Sequence, residues 1–411
     1  MKSIRGKKII LGLSGGIACY KAAELCRLLI KAGAQVQVVM TEAATHFITP
    51  VTLQALSNQT VYTSQWDARE PNNMAHINLT RQADLVVVAP ASADFMAKLL
   101  HGQADDLLSL MCLARPIETC PLVLAPAMNR EMWQHPATVR NVTQLRDDGA
   151  WVLGVGAGEQ ACGESGDGRM LEPFDIVQEL ARVLTPQTLL GRRILVSAGP
   201  TFEALDPVRG ITNRSSGKMG YALARAAWLM GAQVTLVSGP VALDCPRGVD
   251  RIMVETALQM QDAVLSCAEQ SDVFISTAAV ADWRVKHLEP HKIKKTKESP
   301  TPHFELIQNP DILAGVAQGV RAQAKALYCV GFAAETQDLT KYAQEKRVSK
   351  GVPLMVGNLG PATFGLDDNE LLLVDENGVS TLPRASKDEL ALALMANIAE
   401  RLSSFLRIKS A

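Results

Sequence analysis

Short apolar runs alternate with amphipathic stretches along the first half of the chain. Residues 8–13 are mostly apolar, a glycine turn follows, and residues 17–31 carry apolar positions at helical spacing. Gly33 ends that predicted helix, and residues 36–40 form the next apolar run. Further runs rich in Val and Leu lie at residues 85–89 and 122–125. Near-continuous runs of this kind are typical of strands that are buried on both faces of a parallel sheet.

The same order of elements begins again after residues 184–191, a segment that carries Pro and Gly and is typical of a linker. A strand pattern at 192–197, a helix pattern at 217–230 and a strand pattern at 234–238 follow. Further strand patterns lie at residues 273–276, 327–330 and 371–374. The sequence therefore predicts two doubly wound, Rossmann-like α/β domains, of residues 1–188 and 189–411. Each is expected to bind ligands beyond the carboxyl ends of its strands.

Composition and charge favour a soluble protein of two domains over a nucleic-acid-binding or membrane protein. A chain of 411 residues is long enough for two domains, and 47% hydrophobic with 20% charged residues is typical of a soluble globular protein. A net charge of −1 argues against nucleic acid as a partner. No apolar run reaches membrane-spanning length, and the first residues lead into a strand pattern rather than a signal segment. The eight cysteines show no C-x-x-C spacing, so a cytoplasmic protein with reduced thiols is expected.

The first candidate binding loop is Ser14-Gly-Gly-Ile17, at a strand-to-helix junction where backbone N–H groups point at a ligand. Its spacing is not the G-x-G-x-x-G of dinucleotide folds, and Met40-Thr41 stand where an acidic residue would end the second strand. These features favour a mononucleotide phosphate over NAD. A purely structural turn is the alternative that this loop alone leaves open.

Three further residues point to chemistry in the same half. Asn129, in Pro126-Ala-Met-Asn129, follows a buried strand and provides a polar amide at the ligand-binding edge. Cys162 lies among Gly163, Ser165, Gly166 and Gly168, so it is expected on a flexible flap, whereas the other seven cysteines lie in apolar contexts that indicate packing. His76 is a candidate base, although a lone histidine is more often structural. The residues expected to contact a cofactor are Ser14, Gly15, Gly16, Ile17, Thr41, Ser92, Ala93, Met128 and Asn129.

Residues 6–180 resemble the flavin-containing cysteine decarboxylases on the asparagine motif and the cysteine flap. The resemblance implies a flavodoxin-like domain with bound FMN, which oxidises the thiol-bearing carbon so that carbon dioxide can leave. It further implies that His76 acts as a base or orienting group, that Asn129 holds the substrate carboxylate, and that Cys162 protonates the carbon. Asn78 departs from the family, which often carries an acidic residue after the His-Ile pair.

The second half contains a loop, Asn213-Arg-Ser-Ser-Gly-Lys-Met-Gly220, that leads into an apolar helix pattern. Its amide, hydroxyls, glycine and lysine are typical of a loop built around an anion at a helix N-terminus. The alternative is a helix start that is capped by Ser215 or Ser216.

Several further motifs of this half provide cations and carboxylates. Asp282, in Ala278-Ala-Val-Ala-Asp282, is followed by a basic loop in which Lys292, chosen for its nearness to that motif, is the candidate cation. The other lysines of the loop, Lys286, Lys294, Lys295 and Lys297, are equally consistent with a solvated face. Asp311 opens another predicted helix, and Lys346 and Lys350 share one helix face at i,i+4 spacing. Such a set can hold a triphosphate without a P-loop motif.

Residues 190–405 resemble phosphopantothenate–cysteine ligase, whose bacterial form uses CTP. The resemblance implies an acyl-cytidylate of 4′-phosphopantothenate, with Lys292 neutralising charge at the α-phosphate and Asn213 holding the acyl carbonyl for attack by L-cysteine. Phe202 and Gly210 depart from the family, which often has an arginine and an aromatic residue at these two positions. The implied CTP contacts are Ser276, Thr277, Ala278, Asp282, Lys292, Pro310, Asp311, Ile312, Leu313, Phe332, Lys346 and Lys350.

The whole chain thus resembles the bifunctional coenzyme A biosynthesis family, in which the second half makes the substrate of the first. The resemblance implies FMN, Mg²⁺ with CTP, a dodecameric decarboxylase core and dimeric ligase domains; the metal ligands are not indicated by the sequence. Two alternatives remain open. One is a regulatory flavoprotein without turnover, and the other is a paralogue that acts on a phosphopantothenate analogue, for which Phe202 and Gly210 are the support.

Overall fold

The computed structural model describes residues 2–67, 69, 72, 74–294, 301–322, 326–335, 337–359 and 367–410. The chain divides into two compact units, Met1–Thr185 and Pro186–Ala411. The division lies a few residues before the expected boundary at 188/189. Residues after it already pack on the second unit, because Leu189 is buried and its N–H donates to the Met230 carbonyl at 2.9 Å.

The first unit is built on a five-stranded sheet in the order β2-β1-β3-β4-β5, and all its neighbouring strands are parallel. This is the flavodoxin-like order, in which the switch point lies between β1 and β3. Every residue of β3 and β4 is buried, as their apolar runs predict. The strands are β1 Lys8–Leu13, β2 Gln35–Met40, β3 Leu85–Ala91, β4 Leu122–Pro126 and β5 Trp151–Val152.

Helices and one hairpin complete this unit. Phe95, Leu108 and Met111 pack with β3 and β4 in the hydrophobic core. The predicted flap is an antiparallel hairpin of β6 Gly156–Glu159 and β7 Ser165–Arg169, with Cys162 in its turn. The helices are α1 Cys19–Lys31, α2 Glu42–Thr45, α3 Pro50–Ser57, α4 Ala75–Gln82, α5 Ala93–Leu100, α6 Leu107–Ala114, α7 Arg130–Gln134, α8 Pro136–Asp147 and α9 Pro173–Val183.

The second unit is built on an eight-stranded sheet in the order β12-β11-β8-β13-β16-β17-β18-β19. The first six strands are parallel and follow the Rossmann order, with the switch point between β8 and β13. The last two are antiparallel and extend one edge. These strands are β8 Arg193–Ala198, β11 Gln233–Ser238, β12 Val249–Met253, β13 Val273–Ser276, β16 Tyr328–Glu335, β17 Leu354–Leu359, β18 Asp368–Asp375 and β19 Gly378–Ser386.

Two small hairpins of this unit lie in segments for which the sequence predicted no strand. One joins β9 Phe202–Ala204 to β10 Gly210–Thr212, and the other joins β14 Trp283–Val285 to β15 Leu306–Gln308. Three-residue strands are too short for a period-2 pattern to reveal them. The helices are α10 Lys218–Leu229, α11 Ala257–Ala268, α12 Ile312–Ala322, α13 Leu339–Lys350 and α14 Lys387–Ser410.

The start of α10 differs from the serine-capped alternative. Its N-cap residue is Gly217, at φ 73°, and in the described structure no side chain caps this helix. The Ser215 hydroxyl instead accepts from the Gly217 N–H at 3.3 Å.

None of the described helices is both long enough and apolar enough to cross a membrane.

Candidate active sites of the two units

In the first unit, the Ser14 side chain joins the two loops that flank the β1/β3 switch point. Its buried hydroxyl donates to the Pro90 carbonyl at 2.8 Å and accepts from the Ser92 N–H at 2.8 Å. The loop of residues 14–17 and the loop after β3 therefore lie side by side at the carboxyl edge of the sheet. The sequence predicted both as cofactor loops, and the structure brings them together.

Two neighbouring predicted cofactor residues cap helices at this edge. Thr41 caps α2 by accepting from the Ala44 N–H at 3.3 Å, and Ser92 caps α5, which begins at Ala93, by accepting from the Phe95 N–H at 3.1 Å. A Cβ at Gly15 would lie 2.6 Å from the Ala43 side chain, whereas a Cβ at Gly16 would meet no atom within 4 Å. The loop thus packs against Ala43 at Gly15 and is open at Gly16, and the Ile17 side chain is exposed.

Asn129 and Cys162 lie in contact, although 33 positions separate them in sequence. The Asn129 side chain caps α7, since its oxygen accepts from the Glu131 N–H at 2.8 Å, and its Nδ2 lies 3.4 Å from the Cys162 sulfur. The flap hairpin is docked by the Met128 N–H, which donates to the Gly168 carbonyl at 2.9 Å. A Cβ at Gly168 would lie 2.5 Å from the Met128 oxygen, so this approach requires glycine.

Two flap residues that the sequence reasoning missed complete this contact. Asn129 Nδ2 donates to Gln160 Oε1 at 3.1 Å and to Glu164 Oε2 at 2.6 Å. The hydrogen bonds from Asn129 and then from the Cys162 thiol hold the pKa of the exposed Glu164 carboxyl below its usual range. Gln160 and Glu164 lie two residues before and two residues after Cys162, and this spacing was the signal available in the sequence.

His76 is the second residue of α4 and is half-buried. Among the described residues, the His76 imidazole has no hydrogen-bond partner and makes no contact with Asn129 or Cys162. The His76 backbone carbonyl accepts from the Thr80 hydroxyl at 2.7 Å. The Asn78 amide donates to Asn72 Oδ1 at 3.1 Å. A role for His76 therefore stays a prediction.

The thiols of the first unit differ in access. Cys162 is exposed, whereas Cys19, Cys26, Cys112 and Cys120 are buried. Burial raises the pKa of Cys26 to about 11 and that of Cys112 to about 12, so neither provides a thiolate at neutral pH.

In the second unit, a cavity of about 590 Å³ lies at the carboxyl ends of β13, β16 and β17 and beside the start of α10. It spans the switch-point side of the sheet, where open α/β folds bind ligands. Eleven of the twelve predicted CTP contacts line it, namely Ser276, Thr277, Ala278, Asp282, Pro310, Asp311, Ile312, Leu313, Phe332, Lys346 and Lys350.

Asn213 lines the same cavity and ties two of its walls together. Its Nδ2 donates to the carbonyls of Ala279 and Val280 at 3.0 and 3.2 Å. The loop before α10 is thus fixed to the loop that ends in Asp282. Because Nδ2 has two N–H groups and both are bound to these carbonyls, Asn213 is an anchor in this structure, and the carbonyl-holding role stays a prediction.

The cavity has more cationic side chains than the sequence reasoning identified. Arg214 and Lys387 line it together with Lys346, Lys350 and Lys218, the lysine of the predicted anion loop. Burial, and then the neighbouring Lys218 ammonium, lower the pKa of Lys387. Lys218 pairs with Asp367 at 2.6 Å, and Lys350 is ion-paired with Asp311, which caps α12 through the Ala314 N–H at 3.0 Å.

Lys292 is the predicted CTP contact that the structure does not bring to the cavity. It is exposed, and the N–H of its neighbour Ile293 donates to Asp206 Oδ2 at 3.2 Å. The Asp206 carboxylate is buried and also accepts from the Val208 and Arg209 N–H groups at 2.7 and 2.8 Å. The basic loop therefore rests on the β9–β10 hairpin. Lys295 and Lys297 lie outside the described residues.

The two departures from the ligase pattern are in contact with each other. A Cβ at Gly210 would lie 2.4 Å from Cζ of the Phe202 ring and 2.7 Å from both of its Cε atoms. Phe202 and Gly210 lie on adjacent strands of the hairpin, with Thr212 opposite Phe202 and Ala204 opposite Gly210. The ring thus occupies the space that a side chain at position 210 would need.

Fold and sites together define a two-unit protein, with a flavodoxin-like unit that carries a cysteine flap and a Rossmann-like unit with a cation-lined cavity. Family models match both parts: "Flavoprotein" over residues 1–185, and "DNA/pantothenate metabolism flavoprotein C-terminal domain" over residues 189–402.

Curated relatives extend over nearly the whole chain. The Coenzyme A biosynthesis bifunctional protein CoaBC of Vibrio cholerae is 48% identical over 98% of this chain and 100% of its own length. The protein of the same name from Escherichia coli (strain K12) is 45% identical over 97% of this chain and 98% of its own length. A crystal structure of the C-terminal domain of such a protein is 38% identical, with a TM-score of 0.45, over 53% of this chain and 99% of that chain. The chain belongs to the family of bifunctional coenzyme A biosynthesis proteins.

Proposed function

We propose that the chain carries out two consecutive steps of coenzyme A biosynthesis. The second unit joins 4′-phosphopantothenate to L-cysteine at the expense of CTP, through an acyl-cytidylate, and the first unit decarboxylates 4′-phosphopantothenoylcysteine to 4′-phosphopantetheine. The observation that carries this proposal is the contact of an exposed thiol, Cys162, with the amide of Asn129 at 3.4 Å. Family membership over the full chain supports both activities.

The first unit offers a suitable site for FMN. One phosphate would fit the loop of residues 14–17, because the space above Gly16 is open, the loop lies at a strand-to-helix junction, and a dinucleotide fingerprint is lacking. Thr41, Ala93 and Met128 would border the rest of the cofactor. When bound, the flavin supplies the two-electron oxidation that gives the departing carboxylate an electron sink.

The protein's own groups then have separate tasks. Asn129 holds the substrate carboxylate through its Nδ2, and His76 is the candidate base or orienting group for the thiol. Cys162 donates a proton to the carbon from which carbon dioxide has left. Its thiol donates to Glu164 Oε2 at 3.6 Å in this structure.

The cavity of the second unit suits two anionic substrates. Lys346 and Lys350 lie on one helix, and Lys218 and Lys387 lie near each other at two helix starts, so positive charge lines the cavity in two places that would suit a triphosphate and a phosphate ester. Asn213 keeps the loop before α10 against the Asp282 loop. Lys292 would have to enter the cavity when the nucleotide binds.

A divalent metal such as Mg²⁺ is expected with CTP. The described residues contain no group of three or more His, Cys, Asp or Glu side chains that could hold a metal ion. These residues do not fit a protein-held metal centre, so the triphosphate itself would have to be the chief ligand. A cytoplasmic location and homo-oligomeric assembly, up to a dodecamer, remain part of the proposal through the family alone.

The substitution Cys162→Ser tests the first activity. With supplied 4′-phosphopantothenoylcysteine, carbon dioxide should be released in a single turnover that leaves the flavin reduced, while 4′-phosphopantetheine formation stops, because a hydroxyl is far less acidic than a thiol. Ligation by the same variant should equal that of the wild type. If Cys162→Ser forms phosphopantetheine at the wild-type rate, Cys162 has no role in protonation. A wild-type protein that makes no phosphopantothenoylcysteine would instead support the analogue-specific alternative.

A further inference from the structure

The amide that is proposed to hold the substrate carboxylate is already bound to a carboxylate of the flap. Asn129 Nδ2 lies 2.6 Å from Glu164 Oε2, against 3.1 Å to Gln160 Oε1 and 3.4 Å to the Cys162 sulfur. An amide nitrogen has two N–H groups to distribute among these three acceptors. The short distance to an ionised oxygen is typical of a charge-assisted bond, so Glu164 is the dominant partner.

Gln160 is held in place by further hydrogen bonds within and beside the hairpin, and the Glu164 side chain is not. Gln160 Oε1 also accepts from the Arg130 N–H at 3.1 Å, and its Nε2 donates to the Asp167 carbonyl at 3.1 Å. The side chain of Glu164 is exposed and projects from the hairpin turn. It can therefore leave Asn129 without breaking the hairpin, whereas Gln160 cannot.

We propose that Glu164 is a placeholder for the substrate: its carboxylate occupies the Asn129 amide in the free enzyme and is displaced by the carboxylate of the incoming substrate. This inference rests on the decarboxylation proposed above. Both ligands are carboxylates, and they need the same donor. Glu164 is a positioning residue on this account, because it keeps the amide aimed at an anion before substrate arrives.

The displacement also changes the surroundings of the proton donor. The Cys162 thiol donates to the same Glu164 oxygen at 3.6 Å. When Glu164 leaves, the thiol loses this acceptor, and its proton becomes available to the substrate carbon. Substrate binding and release of the proton donor are thereby coupled through one side chain.

The substitution Glu164→Gln tests the inference in steady-state assays on the full-length flavoprotein with supplied 4′-phosphopantothenoylcysteine. A neutral amide competes less well than a carboxylate for Asn129, so KM should fall by about 3- to 10-fold. Inhibition by the product, 4′-phosphopantetheine, should be unchanged, because the product lacks the carboxylate that needs Asn129. Glu164→Ala should lower KM in the same direction.

Glu159→Gln is the matched control, since Glu159 is an exposed carboxylate of the same hairpin and makes no described contact with Asn129. Its KM should equal that of the wild type. An unchanged or higher KM in both Glu164 variants overturns the placeholder, as does an equal fall in Glu159→Gln, which would indicate a general charge effect. If the wild-type protein itself releases no carbon dioxide, the proposed decarboxylation has failed rather than the placeholder.

Discussion

Adding a single methyl group at position 210 should destabilise the second unit, and the reason is the Phe202 ring. Gly210 is not among the residues at positive φ, so alanine can adopt its backbone conformation. The new Cβ would nevertheless lie 2.4 Å from Phe202 Cζ, well inside the roughly 3.5–4.0 Å of an ordinary carbon contact. The ring must therefore swing away from the β9–β10 hairpin.

The expected cost is that of overpacking, about 1–3 kcal/mol. For a unit of this size that lowers Tm by about 2–10 °C, measurable by calorimetry on the full chain. Gly319→Ala is the control, because Gly319 lies in α12 with no atom within 4 Å of an added Cβ. That substitution should stabilise the helix by about 0.5–1 kcal/mol.

A double-mutant cycle isolates the contact. In a Phe202→Ala background, Gly210→Ala should cost almost nothing, since the ring that it meets is gone. The pair Phe202→Arg and Gly210→Tyr, which recreates the residues more often seen in the family, should fold as well as the wild type. An equal cost of Gly210→Ala with and without Phe202 would refute the steric argument.

Three further outcomes are expected. Mass spectrometry of the released cofactor should identify FMN, and FAD would contradict the single-phosphate interpretation of the Ser14 loop. With CTP and 4′-phosphopantothenate but no cysteine, Lys292→Gln should release pyrophosphate on the order of 10²-fold more slowly, whereas Asn213→Asp should release it and then stall; equal rates would remove that division of roles. Burial acts to raise the pKa of Asp206, but N–H donors from Val208, Ile293 and Arg209 outweigh it and hold the pKa below the usual range. The stability from Asp206 is therefore present above its unfolded pKa of about 3.9 and is lost as pH falls through the lower folded value. Melting curves at stepped pH should show this loss in the wild type and not in Asp206→Asn; parallel curves would contradict it.

Much of the architecture followed from the sequence because buried parallel strands leave long apolar runs. β3 and β4 are fully buried, and their Val/Leu runs predicted both. The predictions were weakest where a few residues pair with distant ones. The β9–β10 and β14–β15 hairpins have three residues per strand, and their pairing depends on long-range contacts that no local pattern encodes.

The same distinction applies to the sites. Asn129 and Cys162 were predicted from their types and their neighbours, yet their contact through Gln160 and Glu164 depends on how the hairpin folds back. Arg214 and Lys387 were missed because charged residues beside helix starts have an ordinary explanation as surface residues, whereas Lys218 belongs to the predicted anion loop. Lys292 was chosen for its nearness in sequence to Asp282, whereas the Asp206 carboxylate holds its loop on another hairpin.

Gly168 determines whether the flap can bring Cys162 to Asn129, so the presence of those two residues in a relative does not by itself indicate activity. Its lack of a side chain lets the flap approach the Met128 carbonyl, where a Cβ would come within 2.5 Å. Alanine at this position would push the flap away from Met128 and separate the Cys162 thiol from the Asn129 amide, although both residues would still be present. A relative could thus retain the asparagine and the cysteine and still be inactive. Gly168 is therefore as useful a marker of the proposed activity as Asn129 and Cys162 are.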